Sequence, residues 1–220
     1  MFKELDLILP EVAHDGAMQM ALDEVLLNSV IRPTLRLYRW KQACVTFGYF
    51  QRIDEVRKMY PVLPVVRRWT GGGIVKHGQD LTFSLVIPRS ELSAALPPSL
   101  FYSGLHGCIA GWLSASLPIE IRMAKGVDVC SGNACFSSPS PDDLLTLDRK
   151  ILGGAQRRSA GALLYQGSLQ GIEFSTLNPD SMARALGRVV YRTPLKNENT
   201  SQAEEVATHR YRTPEWTARR

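Results

Sequence analysis

The residues with the clearest capacity for chemistry run together in Arg67-Arg68-Trp69-Thr70-Gly71-Gly72-Gly73-Ile74-Val75-Lys76-His77. Three successive glycines lack Cβ atoms, so the backbone can take positive φ and bring its amides close to a ligand. The two arginines can fork onto a carboxylate or phosphate. A plain glycine hairpin with solvated arginines would use the same residues. Two better-known glycine loops do not fit. A P-loop needs Gly-x-x-x-x-Gly-Lys-Ser/Thr and a dinucleotide fingerprint needs Gly-x-Gly-x-x-Gly, whereas these glycines are consecutive and position 76 is Lys.

Two later stretches add candidates. Cys130-Ser131-Gly132-Asn133-Ala134-Cys135-Phe136 is a loop by composition, and the turn Asp148-Arg149-Lys150 precedes Ile151-Leu152-Gly153-Gly154-Ala155-Gln156. Small residues there suit a place where two backbones, or a backbone and a ligand, come close. The cysteines at 44, 108, 130 and 135 follow neither a secreted disulfide rhythm nor zinc-ligand spacing. Free thiols are expected, with Cys44 and Cys108 as small core residues.

These residues need a scaffold. Asp15 can cap a helix over Gly16 to Val30, with one apolar face on a sheet and Gln19 and Asp23 facing elsewhere. Leu35 to Trp40, Cys44 to Phe47, Val62 to Val66 and Leu81 to Ile87 read as strands, and Gly48 to Gln51 as a turn. Helical spacing over Ser99 to Ser116 is followed by strand signals at Ile119 to Arg122, Asp143 to Leu147 and Gly161 to Leu169. A capped helix at Asp180 to Leu186 precedes Leu195 to Glu205, whose polar content reads as a mobile linker. The pattern predicts an α+β fold, with mixed and antiparallel sheets flanked by helices. The expected division is a catalytic domain over residues 1–190 and a partly flexible tail over 191–220.

The 45% hydrophobic content and 21% charge over 220 residues describe a globular chain with a substantial core. A membrane span is excluded by the lack of a long apolar run, and a cytoplasmic location is expected. The net charge of +5 favours an acidic partner. No recognition helix, zinc finger or aromatic-rich RNA motif accompanies it, so nucleic acid is not expected.

Arg67-Arg68-x-Thr-Gly-Gly-Gly-x-Val-x-His77, Lys150-Ile-x-Gly-Gly-Ala-Gln156-Arg and Gln166-Gly167-Ser168-Leu, together with Leu35-Arg-x-Tyr-x-Trp40 and Gly48-x-x-Gln51, resemble in order the lipoate-protein ligase A and octanoyltransferase family. The resemblance covers roughly residues 10 to 175. It implies a catalytic domain like that of the biotin and lipoate ligases, with an acyl-chain tunnel between the glycine loop and the lysine strand. Substrate binding would fall to Arg67, Arg68, Gly71, Gly72, Gly73, His77, Gly153, Gly154, Ala155, Gln166, Gly167 and Ser168.

Two chemistries stay open within that family. A ligase starts from free lipoate and activates it with ATP and Mg²⁺. An octanoyltransferase starts from a thioester and needs a reactive cysteine beside a lysine, with neither metal nor cofactor. Cys135 and Lys150 are spaced as in the LipM-type octanoyltransferases, which implies the second route, whereas the triple glycine resembles the ligase form. On the transferase route the implied donor is octanoyl-acyl carrier protein. The implied acceptor is a lysine on an acidic lipoyl domain, of the glycine-cleavage carrier protein or a 2-oxoacid dehydrogenase subunit.

Overall fold

The computed structural model of the chain describes residues 1–9, 11–92, 96–126, 139–147 and 149–219. Asp15 accepts a hydrogen bond from the Met18 amide at 2.8 Å and so starts α1 (Gly16–Ser29). Its residues from Gly16 to Leu27 are all buried, so α1 does not pack on one face alone as its periodicity predicts. A second layer explains the difference. α5 (Asn197–Val206) and the π-helical segment Ala207–Tyr211 lie on the outside of α1, where Ala203, Ala207, Tyr211 and Trp216 join Met18, Ala21, Leu22 and Val25 in one cluster.

Beneath α1 lies the large sheet. Its strands are β1 (Phe2–Ile8), β2 (Thr34–Tyr38), β6 (Leu81–Ile87), β7 (Arg122–Met123), β8 (Leu144–Thr146), β9 (Arg149–Ser159), β10 (Ala162–Leu169) and β11 (Gly187–Arg192). Among the described residues their order is β11-β1-β2-β6-β10-β9-β8-β7. β1 runs parallel to both neighbours, and the remaining pairs are antiparallel. Alternation divides the side chains between two faces. Leu35, Leu37, Phe83 and Leu85 point to α3 (Pro98–Ser116) and α4 (Pro179–Leu186), whereas Val86 and Leu164 pack with Leu26 and Leu27 of α1.

β3 (Cys44–Phe47), β4 (Val65–Arg67) and β5 (Val75–His77) form a second sheet in the order β4-β3-β5, and α2 (Ile53–Met59) packs Val56 into its core beside Val45, Phe47 and Ile74. The glycine loop joins β4 to β5 across this small sheet, and β6 then carries the chain into the large one. Both sheets and their helices have the α+β organisation expected.

The C-terminal part differs from expectation. The predicted boundary at 190 falls inside β11, which pairs with β1 from Gly187 to Arg192. Leu195 to Glu205, read as a mobile linker, is largely helix α5. Its polar residues cover the outer surface while Ala203 is fully buried, and α6 (Pro214–Thr217) then buries Trp216. So few inward-facing residues leave a helix looking like a linker in composition.

Candidate active site

The centre of the large sheet positions the site. β9 and β10 pair so that Gly153, Gly154 and Ala155 lie opposite Ser168, Gly167 and Gln166. The glycine loop is held over this region, with Gly72 at φ +83° in the left-handed region where glycine is favoured. Gly71 is different, because a Cβ there would meet nothing within 4 Å. Arg68 fixes the loop from below: its Nη2 donates to the Gly71 and Gly73 carbonyls at 2.9 and 2.7 Å, and its Nη1 donates to Thr46 Oγ1 at 2.7 Å.

A narrow cavity of about 30 Å³ lies between loop and sheet. It brings together Arg68, Gly72, His77, Gly153, Gly154, Ala155, Gln166, Gly167 and Ser168 from the expected set. Met20, Tyr38, Trp40, Thr46, Val75 and Thr82 complete the lining and were not among the expected binding residues. Tyr38 and Trp40 stand two apart on one strand run, a spacing that puts both side chains on the same face.

Two buried polar networks support the walls. Asp23 of α1 accepts hydrogen bonds from Arg36 Nη1 (2.7 Å), Ser84 Oγ (2.7 Å) and Gln166 Nε2 (2.7 Å), and the Gln166 Oε1 accepts one from Thr70 Oγ1 (2.6 Å). The Gln19 side chain also accepts from Arg36. The α1 residues expected to face elsewhere therefore sit on the site side, and their charge and amide groups are paired as burial requires. This chain of contacts ties α1 through β10 to the start of the glycine loop.

In the second network Asp80 Oδ2 accepts from Thr82 (2.6 Å), Ser168 (2.7 Å) and His77 Nδ1 (2.7 Å). The acceptor at Nδ1 assigns the His77 proton to that nitrogen, leaving Nε2 to accept from Thr46 Oγ1 at 2.8 Å. Burial lowers the His77 pKa despite the opposing pull of Asp80, so the ring is neutral at pH 7. Asp80 is held below the usual carboxylate range by these hydrogen bonds, against the effect of its own burial.

Lys150 stands behind the cavity. Its ammonium pairs with Asp143 Oδ2 at 2.7 Å, and both side chains are almost fully buried. A Cβ at Gly153 would collide with the end of the Lys150 side chain, and one at Gly154 with the Tyr165 ring. These glycines thus make room for the protein's own side chains while also lining the cavity. Cys130 and Cys135 lie outside the described residues. Cys44 is a core thiol as expected, pushed by burial up to about 12.

Arg67 does not line the cavity. Its Nη1 donates to the Tyr49 and Gln51 carbonyls (2.6 and 2.8 Å), its Nε to Trp216 O (3.1 Å), and its Nη2 to the Thr217 and Arg219 carbonyls (2.9 and 2.7 Å). Every N–H of the guanidinium is used within the protein, so Arg67 anchors the C-terminal segment to β4 in place of the ligand role expected. Among the described residues no group of three or more His, Cys, Asp or Glu side chains is placed to hold a metal ion.

A glycine loop closing over the antiparallel middle of a mixed sheet, with a buried lysine behind the glycine strand, belongs to the lipoate-protein ligase fold. The model of the lipoyl protein ligase A/B catalytic domain matches residues 15–207, and the chain belongs to that family. It is similar to the octanoyltransferase LipM of Oceanobacillus iheyensis, 33% identical over 173 residues, which are 73% of this chain and 62% of that protein. The LipM of Staphylococcus aureus is also 33% identical, over 75% of this chain and 66% of its own length. The chain therefore spans rather less than two thirds of the curated relatives it matches. Among solved structures, a lipoate-protein ligase A bound with ATP superposes with a TM-score of 0.74 at 22% identity, covering 99% of both chains. A putative lipoate protein ligase from T. acidophilum gives 0.75 at 23%, again over 99% of each chain. Both likenesses establish the fold.

Proposed function

We propose that this protein transfers an octanoyl group from a carrier-protein thioester to a lysine of a lipoyl domain, through a thioester on its own Cys135. The observation that carries the reading is the placement of Lys150, a buried cation packed against Gly153 on a strand whose glycines also line the cavity. The curated relatives named above as octanoyltransferases support the same chemistry. In the first step the Cys135 thiolate attacks the octanoyl carbonyl carbon. The enzyme C–S bond forms, the bond to the carrier sulfur breaks, and the departing thiolate takes up a proton. In the second, the neutral amine of the acceptor lysine attacks the enzyme thioester. The amide C–N bond forms, the Cys135 C–S bond breaks, and the amine's proton passes to the released sulfur. An amide is more stable than a thioester, so the sequence runs downhill without ATP.

The Lys150 ammonium serves both steps by stabilising negative charge on sulfur or on the carbonyl oxygen. Glycines 72, 153, 154 and 167 with Ala155 form the wall for the apolar chain. The cavity of about 30 Å³ is the size of one or two waters, whereas ligand clefts occupy about 300 Å³ or more, so this reading requires the walls to part when the chain enters. The acceptor is an acidic lipoyl domain, steered by the net charge of +5; a neighbour of similar fold is the bi-partite lipoate protein ligase of Thermoplasma acidophilum, described together with its E2 lipoyl domain.

The deciding experiment incubates the protein with octanoyl-acyl carrier protein and measures intact mass. An octanoyl adduct is expected on the wild type and on Cys130→Ser, and none on Cys135→Ser. A strict requirement for ATP and Mg²⁺, with free lipoate as donor and no adduct, would instead establish a lipoate-protein ligase.

A further inference from the structure

We propose that Asp143 and Tyr102 are positioning residues that aim the Lys150 ammonium at the reacting carbonyl. The inference rests on the role given to Lys150 above. Asp143 collects three hydrogen bonds: from Lys150 Nζ (2.7 Å) and the Ser140 amide (2.6 Å) on Oδ2, and from the Tyr102 hydroxyl (2.6 Å) on Oδ1. The Tyr102 hydroxyl in turn accepts the Gly154 N–H at 3.0 Å. The hydroxyl proton goes to the nearer of its two acceptors, Asp143 Oδ1 at 2.6 Å, with the Gly154 carbonyl at 3.3 Å, and so ties the carboxylate to the cavity strand. A helix residue, a loop-end amide and a cavity-strand amide are thereby coupled to one lysine.

The surroundings make this an orienting device. Lys150 is a long, flexible side chain, yet its end lies in the space left by the missing Cβ of Gly153. Tyr102 is held in turn: its ring packs on His106 at 4.0 Å between centroids. His106 donates from Nδ1 to the Asp142 carbonyl (2.7 Å) and accepts at Nε2 from Tyr165 (2.6 Å). Tyr165, His106, Tyr102 and Asp143 thus form one connected chain leading to Lys150. Fixed geometry is what a charge-stabilising group requires, since a displacement of about 1 Å costs as much as a hundredfold in rate.

The test compares Tyr102→Phe, which keeps the ring on His106 and removes the hydroxyl, with Asp143→Asn and Asp143→Glu. Octanoyl transfer is measured as kcat and KM for the octanoyl carrier donor. Reactivity of Lys150 toward acetic anhydride is measured by peptide mass spectrometry, with the exposed Lys76 as internal standard. Tyr102→Phe is expected to lower kcat about tenfold at an unchanged KM and to raise Lys150 acetylation severalfold relative to Lys76. Asp143→Asn should have the larger effect on both, and Asp143→Glu should recover part of kcat. An unchanged kcat, a change confined to KM, or an unchanged acetylation ratio in Tyr102→Phe overturns the proposal. If the wild type transfers no octanoyl group, the function proposed above fails and the aim at a reacting carbonyl fails with it, whereas an active wild type with an unchanged acetylation ratio in Tyr102→Phe overturns this inference alone.

Discussion

The Trp40 indole lies on the His77 imidazole with ring centroids 4.1 Å apart and planes inclined by 26°. The stack is closed by hydrogen bonds, because Trp40 Nε1 donates to Thr82, Thr82 to Asp80, and His77 to the same carboxylate. Removing the charge at Asp80 therefore weakens three side-chain donors and the Gly78 amide together. Asp80→Asn is expected to destabilise the fold by about 3 kcal/mol, seen as a lower urea midpoint with an unchanged slope. An unchanged midpoint would show that the carboxylate is not what holds the stack.

Acid should weaken the protein well before its carboxylates titrate. Burial lowers the His106 pKa to about 3, against 6.5 unfolded. Below pH 6.5 the unfolded chain binds a proton that the folded protein refuses, so stability falls as pH falls until the folded value is reached. The slope for one such group is about 1.4 kcal/mol per pH unit, and His77 adds in the same direction. Between pH 6.5 and 4.5, His106→Gln should lose about 2 to 3 kcal/mol less than the wild type. Equal slopes in urea titrations of both proteins would contradict the assignment.

Within the glycine loop, positions 71 and 72 should respond in opposite ways. Gly72 has φ +83°, and a Cβ would come within 3.1 Å of Ala155 Cβ and 3.2 Å of Arg68 Nη2, whereas Gly71 faces open space. Gly72→Val should abolish octanoate binding measured by calorimetry while the fold survives, and Gly71→Ser should bind within about twofold of wild type. Equal affinities for the two variants would make the loop a simple turn.

Arg67→Met should release the C-terminal segment. The tail carbonyls lose three donors, and Trp216 keeps its own hydrogen bond to the Arg67 carbonyl at 3.0 Å. A loss of about 3 kcal/mol is expected, with new proteolytic cleavage after Tyr211 as the specific sign. Destabilisation without tail cleavage would place the role of Arg67 at the Tyr49 turn instead.

Local patterns carried much of this architecture. Cys44–Phe47 and Leu81–Ile87 are strands with the ends their alternation predicts, and Asp15 caps the helix it was expected to cap. Nine of the fifteen residues lining the cavity came from stretches whose motifs were already legible. What escaped was set by distant partners. Asp23 reads as a surface residue until Arg36 and Gln166 are seen to surround it, and Arg67 reads as a ligand residue until the tail folds back on it. β1 shows a burial pattern of mixed exposure, and nothing in its charged sequence discloses that β11 will pair beside it. No local signal links Tyr102, Asp143 and Lys150, which meet only when α3, β8 and β9 pack.

The link between Arg67 and Trp216 also fixes an order of events during synthesis. These residues lie 149 positions apart, and the arginine that grips the tail is the immediate neighbour of the one that holds the glycine loop. Domains complete their folding as units, and long-range closures come late. A ribosome-bound chain that has already exposed both sheets would therefore still carry a free tail, and the Arg67 guanidinium would meet its last three carbonyl acceptors only after residues 216–219 emerge from the exit tunnel.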